Sequence, residues 1–443
     1  MDEKGNEKGL DNRNAAIKFV LFSVLGLVVF FVKIPFGETS TIPIDIIVGF
    51  AKTALAPVIP YVVLVIGIYA MYDVFIAKKS YQGSVSNAVM AGCKVLGFMM
   101  IVLVVFNIGP GFLLDPAIGS FTVNVLGSSV AIVVAIGAFF LPLLLEFGLA
   151  NAIGVFMRPI MRPLFKVPGK TGVIAVTEYI GNFSLGHIAI NKMYKNGEVT
   201  GKEAAIIATG WATPSLVTFM VFANMMNIMD YWTTYFLVVT VAICIITFIT
   251  IRIYPLSKIK NDYYPGTTPI EEKVYQSNLF KNFWTEGVKK AGEAPSIGKI
   301  ELTQLKNILP MLGGMMTTGM FFMAGGLILK TYTPIVTWIG YLFWPFLALV
   351  QIPDIAVAMQ SCGMSILDSM FMVVIAAGQD LALSTRFLIA SIAPCMVIFL
   401  SGFVPFFLST EVHVKFFQLV ILWFIRVVLT ILIVGLFGLI FLK

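Results

Sequence analysis

A chain of 443 residues with 58% hydrophobic and 12% charged side chains, and a mean hydropathy of +0.93, has too little polar surface to coat a water-soluble globule of its size. Its formal charge of +7 is spread between apolar runs and forms no basic stripe interleaved with aromatics, which excludes a nucleic-acid partner and leaves the lipid bilayer as the medium. The four cysteines, Cys93, Cys244, Cys362 and Cys395, lie in apolar segments without metal-ligand spacing and read as buried, reduced side chains.

A helix crossing the hydrocarbon core needs about 20 mostly apolar residues. After a polar tail over 1–14, the run from Ala15 to Phe36 is too long for a signal-peptide core and has no small-residue cleavage site, so it is expected to stay as an anchor. Thr41 to Ala54 is shorter and moderately apolar, as an interfacial helix would be. Crossings are expected over Ala56 to Ile76, Ala88 to Ile108, Leu126 to Glu146, Glu203 to Met229 and Trp232 to Ile253. Three more follow the hydrophilic stretch Tyr254 to Lys306, over Ile308 to Leu329, Ser384 to Leu408 and Phe416 to Leu442.

Lysines 258, 260, 273, 281, 289, 290, 299 and 306 mark that hydrophilic stretch as cytoplasmic. Counting back from it puts the N-terminus in the cytoplasm and the chain in the cell inner membrane. Two halves share an order of parts. Pro214 to Phe219 reads against Pro394 to Phe399, and Lys166-Val167-Pro168 against Gln351-Ile352-Pro353. The window from Glu146 to Lys202 is rich in Arg and Lys, whereas Thr331 to Phe387 holds only Arg386, so the halves are expected to face opposite ways.

The fold expected from these features is an all-α polytopic membrane protein, with about eight or nine transmembrane helices plus two re-entrant hairpins in inverted repeats. Its parts are N-terminal helices over 15–125, a first repeat over 126–230 with hairpin 169–191, and a connecting helix over 231–253. A cytoplasmic loop over 254–306, a second repeat over 307–410 with hairpin 354–380, and a C-terminal helix over 411–443 complete it.

Polar residues at these interruptions are the candidate site. The first tip carries Thr177, Glu178, Asn182 and Ser184, and a carboxylate at that depth is expected to meet a cation, a polar solute or a proton. A sodium site is expected near Glu178, Asn182 and Thr213. The second interruption offers Gln360, Ser361 and Ser365 as ligand-facing groups, with Asp368 a weaker candidate. Pro214 and Pro394 free backbone carbonyls inside their spans, where Thr213, Ser215 and Ser391 add oxygens. His187, one of two histidines, reads first as a hydrogen-bonded packing residue and second as a pH-sensitive group. The methionine- and phenylalanine-rich run from Met311 to Phe322 reads as packing and lipid contact.

The run Arg-Pro-Ile-Met-Arg-Pro-Leu-Phe-Lys-Val-Pro-Gly, followed by Val-Thr-Glu-Tyr-Ile-Gly-Asn and Asn-Gly-Glu-Val-Thr-Gly-Lys-Glu, resembles the nucleoside-recognition Gate domain, in the form found in the YjiH family of bacterial membrane proteins. Related Gate proteins include concentrative nucleoside transporters, the ferrous-iron transporter core and spore-maturation membrane proteins. In the nucleoside carriers a first-hairpin glutamate after threonine contacts the solute, and Thr177-Glu178 is similar. Their second hairpin carries another glutamate, whereas Ser361 to Asp368 has none.

The resemblance implies a secondary active transporter of a small polar solute, nucleoside-like or amino-acid-like, coupled to sodium or protons. The alternative is a non-transporting Gate-type assembly or signalling component. Partners expected are the solute, the bilayer, and a homo-oligomer or a hetero-complex with another Gate protein. No enzyme and no cofactor is expected: carboxylates and histidines do not cluster, and no glycine loop for nucleotide phosphates is present.

Overall fold

The computed structural model describes residues 3–36, 39–77, 81–82, 85–181, 183–270, 278–408 and 410–441. In hydrocarbon a backbone must satisfy its own N–H and C=O groups, and helices do so within each segment. The chain is accordingly a helical, multi-pass membrane protein. Among the described residues, seven helices are long and apolar enough to cross: Arg13–Phe31, Pro43–Ala77, Ala88–Val105, Pro116–Leu145, Met229–Thr250, Ile297–Tyr332 and Phe416–Phe441.

Helix α1 (Glu3–Phe31) leads into an antiparallel ribbon, β1 (Ile34–Phe36) against β2 (Thr39–Thr41), which the hydropathy pattern does not foretell. The stretch expected as a separate interfacial helix is α2 (Pro43–Leu55), which passes through a 3-10 turn directly into α3 (Ile59–Tyr72). Prolines stand at the first positions of the turn and of α3, where a missing N–H loses no helical bond, so the chain bends without breaking. Helix α4 (Val85–Val105) follows, then α5 (Pro116–Leu145), a run of α- and π-helical turns.

Helix α6 (Leu149–Ile160) precedes a helical hairpin of α7 (Gly172–Ile180) and α8 (Phe183–Lys195). The crossing expected over Glu203 to Met229 is instead two short helices, α9 (Gly201–Gly210) and α10 (Leu216–Met225), separated by an unwound stretch around Pro214. A capping box starts α9: Glu203 N–H donates to Thr200 Oγ1 at 3.2 Å and Thr200 N–H to Glu203 Oε2 at 2.9 Å. Helix α11 (Trp232–Thr250) and the amphipathic α12 (Leu279–Glu293) come next.

The second half repeats the order. Helix α13 (Ile297–Tyr332) starts inside the charged stretch, earlier than the expected Ile308. Two short helices, α14 (Ile335–Gly340) and α15 (Trp344–Leu349), stand where α6 does. A hairpin of α16 (Ile355–Met364) and α17 (Ser369–Ala376) follows. The expected crossing Ser384 to Leu408 is again broken, into α18 (Leu383–Met396) and α19 (Phe403–Leu408), and α20 (Phe416–Phe441) ends the chain.

The correspondence extends to single residues. Lys166 (φ 58°) and Gln351 (φ 51°) both take the left-handed conformation just before the hairpins, each followed two residues later by proline. Each hairpin is also tied at its open end, the first by Lys170 Nζ to Glu198 Oε2 at 2.8 Å and the second by Ala382 N–H to Asp354 Oδ2 at 2.8 Å. The Lys170 ammonium holds the Glu198 carboxyl below the usual carboxylate range.

The two broken helices run in opposite directions. Arg386, at the start of α18, donates to the carbonyls of Met226 and Asn227 at the end of α10, while past the end of α19 Glu411 pairs with Lys195 and its N–H reaches Asn191, both on α8. Helices α4 and α13 approach so closely that a side-chain carbon on Gly97 would run into the Thr317 carbonyl. Of the cysteines, Cys362 and Cys395 are buried, but Cys93 and Cys244 only partly so; all four are free.

Candidate functional site

Proline dictates where the first broken helix opens. In a continuous helix the Gly210 carbonyl would accept from residue 214, but Pro214 has no N–H, so α9 ends and the carbonyl needs another donor. Thr247 Oγ1 supplies one at 3.1 Å and Arg426 Nη2 another at 3.2 Å. In the second repeat Pro394 likewise leaves the Ala390 carbonyl open, and Tyr235 Oη donates to it at 2.9 Å. Pro394 remains inside α18, and the unwinding follows at Val397, whose φ is 61°.

Arg426, mid-way along α20 and fully buried, also donates Nε–H to the Cys395 carbonyl at 2.8 Å. One guanidinium therefore joins the C-terminal ends of α9 and α18. Each such end carries about half a negative charge, so the two together match the single positive charge of the arginine.

Hairpin tips meet these breaks. Leu400 and Ser401, in the second unwound stretch, donate backbone N–H groups to the Ile366 and Leu367 carbonyls at 2.7 and 3.0 Å. Asp368 caps α17, accepting from the Met370 N–H at 2.6 Å and the Phe371 N–H at 3.2 Å, and it also accepts from the Ser401 hydroxyl. In the first repeat Thr213 Oγ1 donates to the Tyr179 carbonyl at 3.1 Å, and Ser215 caps α10 through the Thr218 N–H at 3.4 Å.

A cavity of about 440 Å³ opens between the two repeats. Pro214, Ser215 and Thr218 of the first break, Asp368, Ser369 and Met370 of the second tip, and Phe399, Ser401 and Gly402 of the second break all line it. Lys94 from α4 and Thr318 from α13 complete its polar wall, with Met311, Met315 and Met323 apolar. Its size and its mix of apolar surface with a few convergent polar groups are those of a small-molecule site.

Within the first hairpin Glu178 and His187 are both buried, with His187 Nδ1 3.5 Å from Glu178 Oε1. Neither carboxylate oxygen has a hydrogen bond among the described residues. The His187 ring stands edge-on to Phe403 and Phe407 of α19, at centroid distances of 5.2 and 5.8 Å.

Residues 128–229 match the family model described as Gate, nucleoside recognition. This segment is similar to a Gate domain. An uncharacterised protein of Alkalihalophilus pseudofirmus is 29% identical over 429 residues, covering 94% of this chain and 92% of its own. Among solved structures, CNTnw in an inward-facing substrate-bound state aligns at TM-score 0.40 with 12% identity, over 97% of this chain and 92% of that one. A substituted CNTnw in an outward-facing state aligns at TM-score 0.44 with 12% identity, over 96% and 92%.

The segment matched by the Gate model holds the first set of residues singled out in the sequence, and it distributes them unevenly. Ser215 lies on the cavity wall. Thr213 serves the hairpin backbone instead, and Thr177 Oγ1 bonds back to the Val173 carbonyl at 2.8 Å. Thr177 and Glu178 sit in the last turns of α7, not in a non-helical tip, because the helix persists until Gly181. Asn182 and the side chain of Ser184 fall outside the described residues, so of the sodium-site trio only Glu178 and Thr213 can be placed. No group of three or more His, Cys, Asp and Glu gathers among the described residues.

Outside the Gate domain, Gln360 Nε2 donates to Thr337 Oγ1 at 2.9 Å, toward α14 and not toward the cavity. Ser365 Oγ donates to the Cys362 carbonyl and accepts from Trp423 Nε1 at 2.9 Å. Ser361 is fully buried, and Ser391 bonds back to the Phe387 carbonyl at 2.8 Å. The polar residues of the second hairpin and second break that do reach the cavity are Asp368, Ser369 and Ser401. Lys94 was missed altogether, although a lysine inside an apolar crossing was a readable signal. Of the run expected to pack, Met311 and Met315 line the cavity, while Met316 and Met320 are fully buried.

Proposed function

We propose that the chain is a secondary active transporter of a small polar solute, nucleoside-like or amino-acid-like, set in the inner membrane with its N-terminus in the cytoplasm. The observation that carries this reading is the cavity in which a capped helix start from each repeat, α10 behind Ser215 and α17 behind Asp368, meets the second unwound stretch. Unwound backbone at membrane depth is tolerated where it lines a cavity, and oppositely directed repeats are the architecture that lets such a cavity open to either side. The Gate match supports a solute-recognising role for the first half. Sodium or protons are the proposed driving ions, with the buried Glu178 as the group that answers to them.

Uptake into proteoliposomes tests this reading, using radiolabelled uridine and leucine under imposed sodium and proton gradients. Gradient-driven accumulation of at least one solute is expected, and Ser215→Trp, which fills the cavity, should lower it about tenfold or more, equal to about 1.4 kcal/mol in the transport barrier. Uptake unaffected by Ser215→Trp would place the pathway elsewhere.

A further inference from the structure

We infer that the solute is a zwitterion of the amino-acid class, carrying a carboxylate and an ammonium, and not a neutral nucleoside. The inference rests on the cavity reading above and narrows it. A solute of either kind fits about 440 Å³, so volume does not choose between them; the charges on the wall do.

Two ionisable side chains line the cavity, Lys94 from α4 and Asp368 from the tip of the second hairpin. They belong to different elements, one beside the repeats and one within the second repeat. A lysine and an aspartate at membrane depth are costly to keep there, and such groups mark the path of a charged or strongly polar cargo. A neutral nucleoside can be held by amides, hydroxyls or a carboxylate, but it offers a lysine no anionic group to pair with. An amino acid uses both charges: its carboxylate answers Lys94 and its ammonium answers Asp368.

The geometry of Asp368 agrees with this. Two backbone N–H groups and the Ser401 hydroxyl donate to its carboxyl group and hold it in place on the cavity wall. Hydroxyls of Ser215, Thr218, Thr318 and Ser369 on the same wall supply neutral contacts for the remainder of the molecule. The capped starts of α10 and α17 reinforce the preference for a carboxylate, since each presents the positive end of its helix dipole to the cavity. They add to the argument without carrying it.

Thermal unfolding of the purified full-length protein separates the two solute classes. The panel is L-leucine, L-alanine and alanyl-alanine as zwitterions, N-acetyl-leucine without the ammonium, leucinamide without the carboxylate, and uridine and adenosine as neutral solutes. At least one zwitterion should raise the unfolding temperature, with an apparent Kd about tenfold or more tighter than that of its singly charged derivative. Lys94→Gln should abolish the difference between leucine and leucinamide. Asp368→Asn, which keeps a competent helix cap while removing the charge, should abolish the difference between leucine and N-acetyl-leucine.

Stabilisation by uridine or adenosine equal to or greater than that by the zwitterions would overturn the inference while leaving the cavity as the solute site. Shifts that ignore removal of either charge from the solute, or no shift from any zwitterion, would overturn it as well. Leucine-specific stabilisation without proteoliposome uptake would uphold the inference about the ligand and count against transport.

Discussion

Replacing Arg426 with methionine is expected to lower solute uptake about tenfold or more, a loss of about 1.4 kcal/mol in the transport barrier, while the protein still folds. The guanidinium is fully buried and donates to Gly210 and Cys395 carbonyls, the exposed ends of the two half-helices α9 and α18. Its removal loses two charge-assisted hydrogen bonds of about 1.5–3 kcal/mol each. The cost of burying an isolated charge disappears at the same time, and that offsets much of the loss. Thr247 still donates to Gly210, so one of the two carbonyls keeps a partner. Stability is thus changed modestly, but the negative ends of two helices now face one another without a cation between them.

The unwound stretches that follow those ends carry Ser215 on one side and Ser401 on the other, so a shift of either reaches the cavity wall. Arg426→Lys should be intermediate, because a single ammonium supplies the charge but cannot span two carbonyls as the planar fork does. Uptake measured beside thermal unfolding checks this. Wild-type uptake by the methionine variant would mean that the arginine does not hold the breaks in register.

Glu178→Gln should abolish gradient-driven uptake and raise the unfolding temperature together. A fully buried carboxylate whose oxygens have no hydrogen bonds among the described residues is costly to keep. The amide has the same shape and a smaller burial cost, so the folded state gains while the carboxyl group proposed to answer to the driving ion is lost. Gly186 gives an independent check. It lies directly against Glu178, and a methyl group there would overlap the Glu178 side chain. Gly186→Ala should therefore displace the carboxylate from beside His187 and lose uptake without removing any charge, but here with lowered stability, since overpacking costs about 1–3 kcal/mol. Normal uptake in both variants would remove Glu178 from the mechanism.

Hydropathy made most of the architecture legible, because a crossing helix must be apolar for its whole length. Pro214 and Pro394 pointed to opened helices for a stated reason, the missing N–H, and breaks lie at or just beyond both. The same prolines concealed the detail that α9 with α10, and α18 with α19, are separate short helices, since residues on either side are equally apolar. The α2 to α3 junction misled in the other direction, because its prolines fall where helices tolerate them.

The site was less legible, since a helix hides which of its polar residues face inward. Ser361, Ser365 and Ser391 look like ligands in sequence but stand on buried faces, where Ser365 and Ser391 bond locally or to Trp423, whereas Asp368, three residues past Ser365, turns into the cavity because it caps α17. Which of those faces meets the cavity depends on the angle between repeats, and no local pattern encodes that angle. Lys94, which the sequence reading passed over, is the exception, since its type inside an apolar crossing is a signal that needs no angle between repeats.

Accessibility of Ser215 tests the account most directly. In a background with the four natural cysteines replaced, Ser215→Cys protein in oriented vesicles is treated with a membrane-impermeant maleimide from one side at a time, with and without an imposed ion gradient. The account predicts reaction from each side under opposite gradients, with protection by a transported solute. Reaction from the same side under every condition, or none from either, would contradict it.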